Sequence, residues 1–381
     1  MSVLVGIVLG LTLAVAAVVA LLCLGAFVSR SGFPGAVAVL VMPTFAPHFV
    51  LVGVCAAGIG WWSHTRHPAI GAVLLVLGGV GAVGSAVVTA ALLRTVRTAG
   101  GSVNPLRSFA IRPMTGAADD TETYATVDGQ DLNVEIYRPS GDGVPVLFYI
   151  HGGGFTGDTR LPATMRWFAD HGWLVIRPEY RLAQPDRPTW DTASADVARA
   201  YAWAAEHAGA LGGDSERTIV MGESAGGNLA LILAYRLASG KDFAVDHLPI
   251  PLAVVANYPV VSPQAALVNH ILHIDKDIEQ YIGGLPARFP ERYAVVDCSS
   301  YLTPQAPPTL ILQGTRDSLV PPESVYDFVT SAEQAGIDVT LVRVPFANHF
   351  YDGLAAGSLG FHALTTITHR YLTASRHRSR S

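Results

Sequence analysis

The chain has 381 residues, half of them hydrophobic and only 14% charged, with a formal net charge of −5. An ordinary soluble domain carries about 25% charged residues. The composition therefore argues against a wholly soluble protein, and also against intrinsic disorder, which needs low hydrophobicity and high charge.

The charge is divided along the chain. Residues 1–118 hold six arginines (Arg30, Arg66, Arg94, Arg97, Arg107, Arg112) and no acid, whereas 119–381 hold 19 basic and 30 acidic residues, a net of −11. Three apolar runs fill the front. Residues 1–28 contain no charged side chain, 33–62 are interrupted by Pro43 and Pro47, and 69–93 form the third run. A membrane helix needs about 20 apolar residues. The runs predict an all-α anchor over 1–95 with about three transmembrane spans, 3–28, 35–62 and 69–93. A buried soluble core would need amphipathic neighbours to cover it, and the flanking sequence offers none.

The middle run reads as one span kinked at its prolines, or as a shorter span over 46–62 after an interfacial turn. Trp61 and Trp62 stand where an aromatic belt would. A cleaved signal peptide is disfavoured for the first run, which lacks a charged n-region and exceeds the usual length of about 7–15 apolar residues. With three spans, Arg30, Arg94, Arg97 and Arg107 share one side and Arg66 the other. The positive-inside rule then expects an integral protein of the cell membrane with its globular part in the cytoplasm. Cys23 and Cys55 lie in the apolar front and Cys298 is alone in the back, so no disulfide framework is expected within the globular part.

Residues 96–121, rich in Gly, Ser, Thr, Ala, Arg and Pro, read as a linker. Beyond it the pattern changes to strands near 123–127, 132–137, 145–150, 173–177, 218–222, 252–257, 309–313 and 339–344. Helical stretches fall near 161–171, 190–208, 225–239, 322–335 and 355–373. Strands alternating with helices predict an α/β domain over 122–375, with a mostly parallel sheet covered on both faces. Arg376, Arg378 and Arg380 make 376–381 a basic, solvated tail.

The motif with the sharpest chemistry is Gly222-Glu223-Ser224-Ala225-Gly226, between an apolar strand and an apolar helix. This is G-x-S-x-G in the strand–turn–helix setting of a nucleophile elbow. The turn strains the serine and lifts its Oγ above the sheet, and the helix N-terminus favours negative charge beside it. A second motif, His151-Gly152-Gly153-Gly154-Phe155, follows another buried strand. Consecutive glycines expose N–H groups as an oxyanion hole requires. The expected donors are Gly153, Gly154 and Ala225, with His151 and Gly152 supporting the loop. The Gly-Lys-Ser/Thr of a phosphate loop is absent.

A serine nucleophile needs a base and an orienting acid, in the order serine, acid, histidine for this elbow. Asp317 follows the strand at 309–313 and His349 follows that at 339–344, in the loops where parallel sheets place functional groups. Asp352 and Asp297 are weaker candidates for the acid. His270, His273, His362 and His369 read as surface histidines.

Together the HGGGF loop at 151–155, Glu179-Tyr180-Arg181-Leu182-Ala183, Gly212-Gly213-Asp214, the run 222–230 and Pro307-Pro308-Thr309-Leu310 carry a family likeness. The segment over about 125–373 resembles the α/β-hydrolase superfamily, within it the esterases and lipases related to hormone-sensitive lipase and the BD-FAE-type carboxylesterases. Glu179 and Glu223 stand where Asp is common in that group. The resemblance implies an eight-stranded, mostly parallel sheet and a Ser224–Asp317–His349 triad. It also implies ester hydrolysis through an acyl-enzyme, with no cofactor and no metal. The expected partners are the bilayer and a short- to medium-chain or lipid-like ester. Nucleic acid is disfavoured by the acidic domain. An acyltransferase or amidase using the same triad, or a non-catalytic binding protein on this fold, are the alternatives. Residues 262–303, with Ile271, Leu272, Ile274, Ile278, Tyr281 and Ile282 at helical spacing, read as a lid or as a packed surface helix.

Overall fold

The computed structural model describes residues 3–28, 33–241, 243, 245, 248–268 and 270–378. Arg30, used above for orientation, and residues 379–381 of the expected tail lie outside the described residues. The chain forms two units. One comprises Met1–Pro113, Gly314–Arg316 and Val344–Thr366, and the other Met114–Gln313, Asp317–Arg343 and Ile367–Ser381.

The first unit is built on α1 (Val3–Val28), α2 (Phe33–Ser63) and α3 (Pro68–Thr98). All three are long and apolar enough to cross a membrane. α2 runs through Pro43 and Pro47 as a single helix, the first of the two readings above. α3 continues past residue 93 and takes Arg94 and Arg97 into its last turns.

Small residues hold the helices together. Gly53 and Gly60 on α2, and Gly71 and Gly78 on α3, are each seven apart, a spacing that returns to one helix face. A Cβ added at Gly53, Gly60 or Gly78 would strike the backbone of the neighbouring helix. On α1, Cys23 Sγ lies 3.4 Å from Ser85 Oγ of α3. Leu4, Leu11, Val76 and Val83 point outward and are exposed. After α3, Asn104 caps a 3-10 turn at Pro105–Phe109, its Oδ1 accepting from Leu106 N at 2.9 Å. Arg112 and Ala356 then exchange two main-chain bonds of 2.9 Å.

The second unit is organised by a sheet that has eight strands among the described residues: β1 (Asp120–Val127), β2 (Gln130–Tyr137), β3 (Val144–Ile150), β4 (Leu174–Pro178), β5 (Gly213–Glu223), β6 (Val254–Asn257), β7 (Thr309–Gly314) and β8 (Val339–Val344), in the order β1-β2-β4-β3-β5-β6-β7-β8. The last residues of β7 and β8, Gly314 and Val344, fall in the first unit. β1–β2 and β2–β4 are antiparallel, and β4–β3, β3–β5, β5–β6 and β6–β7 are parallel.

The helices are α4 (Pro162–Asp170), α5 (Thr192–His207), α6 (Ala225–Ala238), α7 (Pro263–Ala266), α8 (Ile274–Ile282), α9 (Pro290–Val296), α10 (Pro322–Gln334) and α11 (Leu359–Arg378). The architecture is the α/β-hydrolase fold, a mostly parallel sheet with flanking helices. β4, β6 and β7 are buried along their whole length, as strands covered on both faces must be. The exposed edge strand β1 carries Asp120 and Glu122, which discourage pairing with another chain. α6 is buried from Ala225 to Tyr235, which explains an apolar run without amphipathic period.

Candidate active site

β3, β5 and β7 run parallel, so their carboxyl ends lie on one edge of the sheet. That edge is where an open α/β sheet presents its ligand-binding loops. The glycine loop leaves β3, Ser224 leaves β5, and Asp317 follows β7.

Ser224 sits between β5 and α6 with φ 53° and ψ −118°. A non-glycine residue there is strained, and such strain persists only where the surroundings impose it. The surroundings are specific. Ser224 N–H donates to Asn257 O at 2.9 Å, and Ser224 O accepts from Asn228 N at 3.1 Å and Val260 N at 3.2 Å. A Cβ at Gly222 would run into Gly226 O, and one at Gly226 would run into Ile150 O. Glycine at both flanks is thus what lets the strand, the turn and the helix close up.

The glycine loop lies directly against this turn. A Cβ at Gly152 would stand 3.0 Å from Glu223 O and 3.2 Å from Ser224 Cβ. Gly153 and Gly154 adopt φ of 118° and 64°. Among the described residues, no hydrogen bond takes up the main-chain N–H of Gly153, Gly154 or Ala225. His151 stacks on Tyr180 at 4.3 Å, and Tyr180 Oη donates to His151 O at 3.0 Å. Its Nδ1 lies 2.7 Å from Gly152 O. Burial, and then the nearby Arg177 guanidinium, pull the His151 pKa down from 6.5 to about 4 despite the opposing Asp158 carboxylate. His151 is therefore a neutral ring at pH 7, and Nδ1–H is the donor to Gly152. Arg177, itself buried, pairs with Asp158 and, at 3.5 Å, with Glu135.

Asp317 is buried and held at both oxygens. Its Oδ1 accepts from Leu319 N and Val320 N, each at 2.9 Å, and its Oδ2 from Gln313 Nε2 at 3.0 Å. Glu223 accepts from Tyr258 Oη at 3.1 Å. Glu179 accepts from Asn133 N at 3.1 Å and thereby ties β2 to the end of β4.

His349 belongs to the unit of the long helices. It is buried in the loop after β8, and its N–H donates to Asn348 Oδ1 at 2.7 Å. Asp352 is fully buried three residues later in the same unit. Asp297 is taken up in capping the turn Cys298–Tyr301. His270 pairs with Asp275 at 2.9 Å, and His369 accepts from Trp173 Nε1 at 3.3 Å. His362 is half-buried, and burial, and then Arg107, lower its pKa.

One neighbour was not legible in the sequence. α8 packs on the glycine loop: Tyr281 stacks on Phe155 at 3.8 Å, and Asp277 Oδ1 accepts from Thr156 Oγ1 at 3.0 Å. Burial raises the pKa of Asp277. The periodic Ile and Tyr residues of 274–282 revealed the helix, but nothing local marked the acid. No group of three or more His, Cys, Asp or Glu is gathered as metal ligands would be, among the described residues.

Comparison with known proteins places this site in context. A family model described as BD-FAE matches residues 134–331, just over half of the chain. An ethyl acetate hydrolase of Pseudomonas putida is 32% identical over 263 residues, covering 64% of this chain and 80% of that protein. The esterase LipC of Mycobacterium tuberculosis is 28% identical over 258 residues, covering 62% of this chain and 60% of its own. In fold, the chain is similar to a propionate-bound thermophilic esterase of Thermogutta terrifontis. The TM-score is 0.55 at 22% identity, over 69% of this chain and 96% of that one.

Proposed function

The chain belongs to the BD-FAE family and is a carboxylic ester hydrolase, and from that premise we propose that it works through a serine acyl-enzyme formed on Ser224. The observation that carries the reading is the strained Ser224 turn, with the glycine loop seated against it. In this reading His349 removes the Ser224 proton as Oγ attacks the acyl carbonyl. The tetrahedral intermediate collapses, the imidazolium returns the proton to the leaving alcohol, and water repeats the sequence to release the acid. Asp317 orients the imidazole and stabilises its charged form. The N–H groups of Gly153, Gly154 and Ala225 receive the oxyanion, each contributing about 2.7–4 kcal/mol. His151 and Gly152 hold the loop, and a His151 that is neutral at pH 7 leaves the proton chemistry to His349.

The three long helices of 1–98 are, in this proposal, a cell-membrane anchor ahead of a linker and the catalytic domain. The arginine distribution favours a cytoplasmic catalytic domain, which protease protection of sealed vesicles tests. Short- to medium-chain esters are favoured by the ethyl acetate hydrolase relative, and lipid-like esters by the anchor.

The test is Ser224→Ala in the full chain. Hydrolysis of a short-chain activated ester and labelling by a serine-directed phosphonate should both disappear. Turnover retained in that variant would overturn the assignment.

A further inference from the structure

The loop that carries His349 is fastened to the long helices by bonds that the helix chemistry explains. In an α-helix the carbonyl of residue i accepts from the N–H of residue i+4. For Val39 that residue is Pro43, which has no N–H. The Val39 carbonyl is thus left over inside an apolar helix, where an unfilled acceptor costs several kcal/mol. It is filled from far along the chain: Asn348 N–H donates to Val39 O at 3.2 Å. One turn earlier on the helix, Asn348 Nδ2 donates to Ala36 O at 2.9 Å. Two contacts with the end of α1 complete the seat. Phe346 packs on Phe27 at 4.8 Å, and Arg316 Nη2 donates to Phe27 O at 3.3 Å. Arg316 N–H in turn holds Ala347 O at 3.0 Å. The residues on either side of Asn348 are therefore Ala347, tied to Arg316, and His349.

We propose that α2 is a positioning element for the catalytic base: Pro43 frees the Val39 carbonyl, Asn348 closes on it, and the loop bearing His349 is thereby seated on the helices of the anchor. Pro43, Asn348 and Phe346 are positioning residues that act through His349. The inference rests on the reading of His349 as the base. It makes the anchor part of the catalytic apparatus as well as a tether, so hydrolysis depends on the integrity of α1 and α2 even for a water-soluble ester.

Pro43→Ala supplies the missing helical N–H to Val39 and competes away Asn348 N–H while strengthening α2 itself. Asn348→Ala removes the bond to Ala36 together with the Oδ1 that accepts from His349 N–H, whereas Pro43→Ala leaves the Asn348 side chain in place. Pro47→Ala is the control, a proline lost from the same helix without a contact to the loop. All are measured as full chains in bilayer discs with a short-chain activated ester, beside thermal unfolding. A misplacement of about 1 Å in a catalytic group costs about a hundredfold, and the expected fall in kcat for Pro43→Ala and Asn348→Ala is about tenfold or more. KM should stay within about twofold, with undiminished thermal stability in Pro43→Ala and unchanged kcat in Pro47→Ala. Wild-type kcat in both Pro43→Ala and Asn348→Ala, beside inactive Ser224→Ala and His349→Ala, overturns this inference alone. An equal loss in Pro47→Ala overturns it too, because the bend of the helix and not the bond would then matter. Turnover persisting in Ser224→Ala or His349→Ala overturns the catalytic reading and this inference with it.

Discussion

The two units place their side chains by opposite rules. On the three long helices many large apolar residues face outward, among them Leu4, Leu11 and Val76, while Gly71, Gly78 and Ser85 are buried between helices. In the sheet unit Phe148, Trp173 and Tyr201 are fully buried, and glycine is used at turns such as that around Ser224. Polar groups divide the same way. The long helices carry few, whereas the sheet unit buries Arg177 among carboxylates and Arg181 against Asp196. A helix surrounded by lipid gains nothing by hiding leucine and gains contact by exposing backbone to backbone. A sheet surrounded by water must hide its large side chains. Exposed leucine and valine over buried glycine is the pattern α1, α2 and α3 would show if a bilayer surrounded them.

The comparison can be strained at its most polar point. Arg181 Nε and Nη2 reach Asp196 at 2.7 and 2.8 Å, and Asp196 is 0% exposed. Arg181→Ala leaves that carboxylate buried with the main-chain N–H of the same residue at 3.2 Å and the partly exposed Arg199 at 3.1 Å beside it, and should cost about 4 kcal/mol in chemical unfolding of the sheet unit. A loss below about 1 kcal/mol would mean that water reaches Asp196 freely.

A second loss, on the order of 3 kcal/mol at its limit, is driven by pH. The folded His151 holds its proton only below about 4, against 6.5 for a free ring. Near pH 7 neither state is protonated and stability is full. As pH falls through 6.5 the unfolded chain takes up a proton that the folded chain refuses, so stability falls until about pH 4. His151→Gln should flatten the unfolding free energy over that window, and an unaltered slope in the variant would assign the acid sensitivity to another group.

Much of this was legible because both periodicities are local. Of the eight strands, β2, β3, β4, β6, β7 and β8 stand within two residues of their expected limits, since continuous or alternating apolar runs leave little choice. β5 begins earlier than expected, at Gly213, because Asp214 to Arg217 are polar and only the pairing of Gly213 and Asp214 with Val144 and Pro145 reveals them as strand. Ser224 and the glycine loop were readable because glycine spacing records a backbone requirement. Asp277 beside the glycine loop was not readable, and neither was the partner of Val39. Both depend on residues more than 100 positions apart in the chain, and no local pattern encodes them. The local rule that proline interrupts a helix pointed equally to a broken α2. α2 nevertheless runs on through both prolines, and the Val39 carbonyl freed by Pro43 accepts from Asn348 N–H.

The smaller predictions probe the long-helix unit directly. Gly78→Leu forces a branched side chain toward Ala57 N and Gly53 O, each of which already lies within 2.7 Å of where a Cβ would stand. Overpacking of this kind costs about 1–3 kcal/mol, read as a lower unfolding temperature in bilayer discs. An unchanged temperature would show that α2 and α3 do not meet along their glycines.

Leu11→Ala should cost almost nothing, within about 0.5 kcal/mol. Leu11 is 63% exposed, so in a bilayer its side chain touches lipid both when the helices are packed and when they have separated. The transfer energy of the lost methyl groups then cancels between the two states, and only packing against protein would remain to be lost. The same truncation at Leu229, buried in α6, opens a cavity and forfeits transfer and packing energy together. A loss above about 1 kcal/mol at Leu11 would mean that this face of α1 packs against protein. The outward leucines would then mark an interface with another chain, not a surface made for lipid.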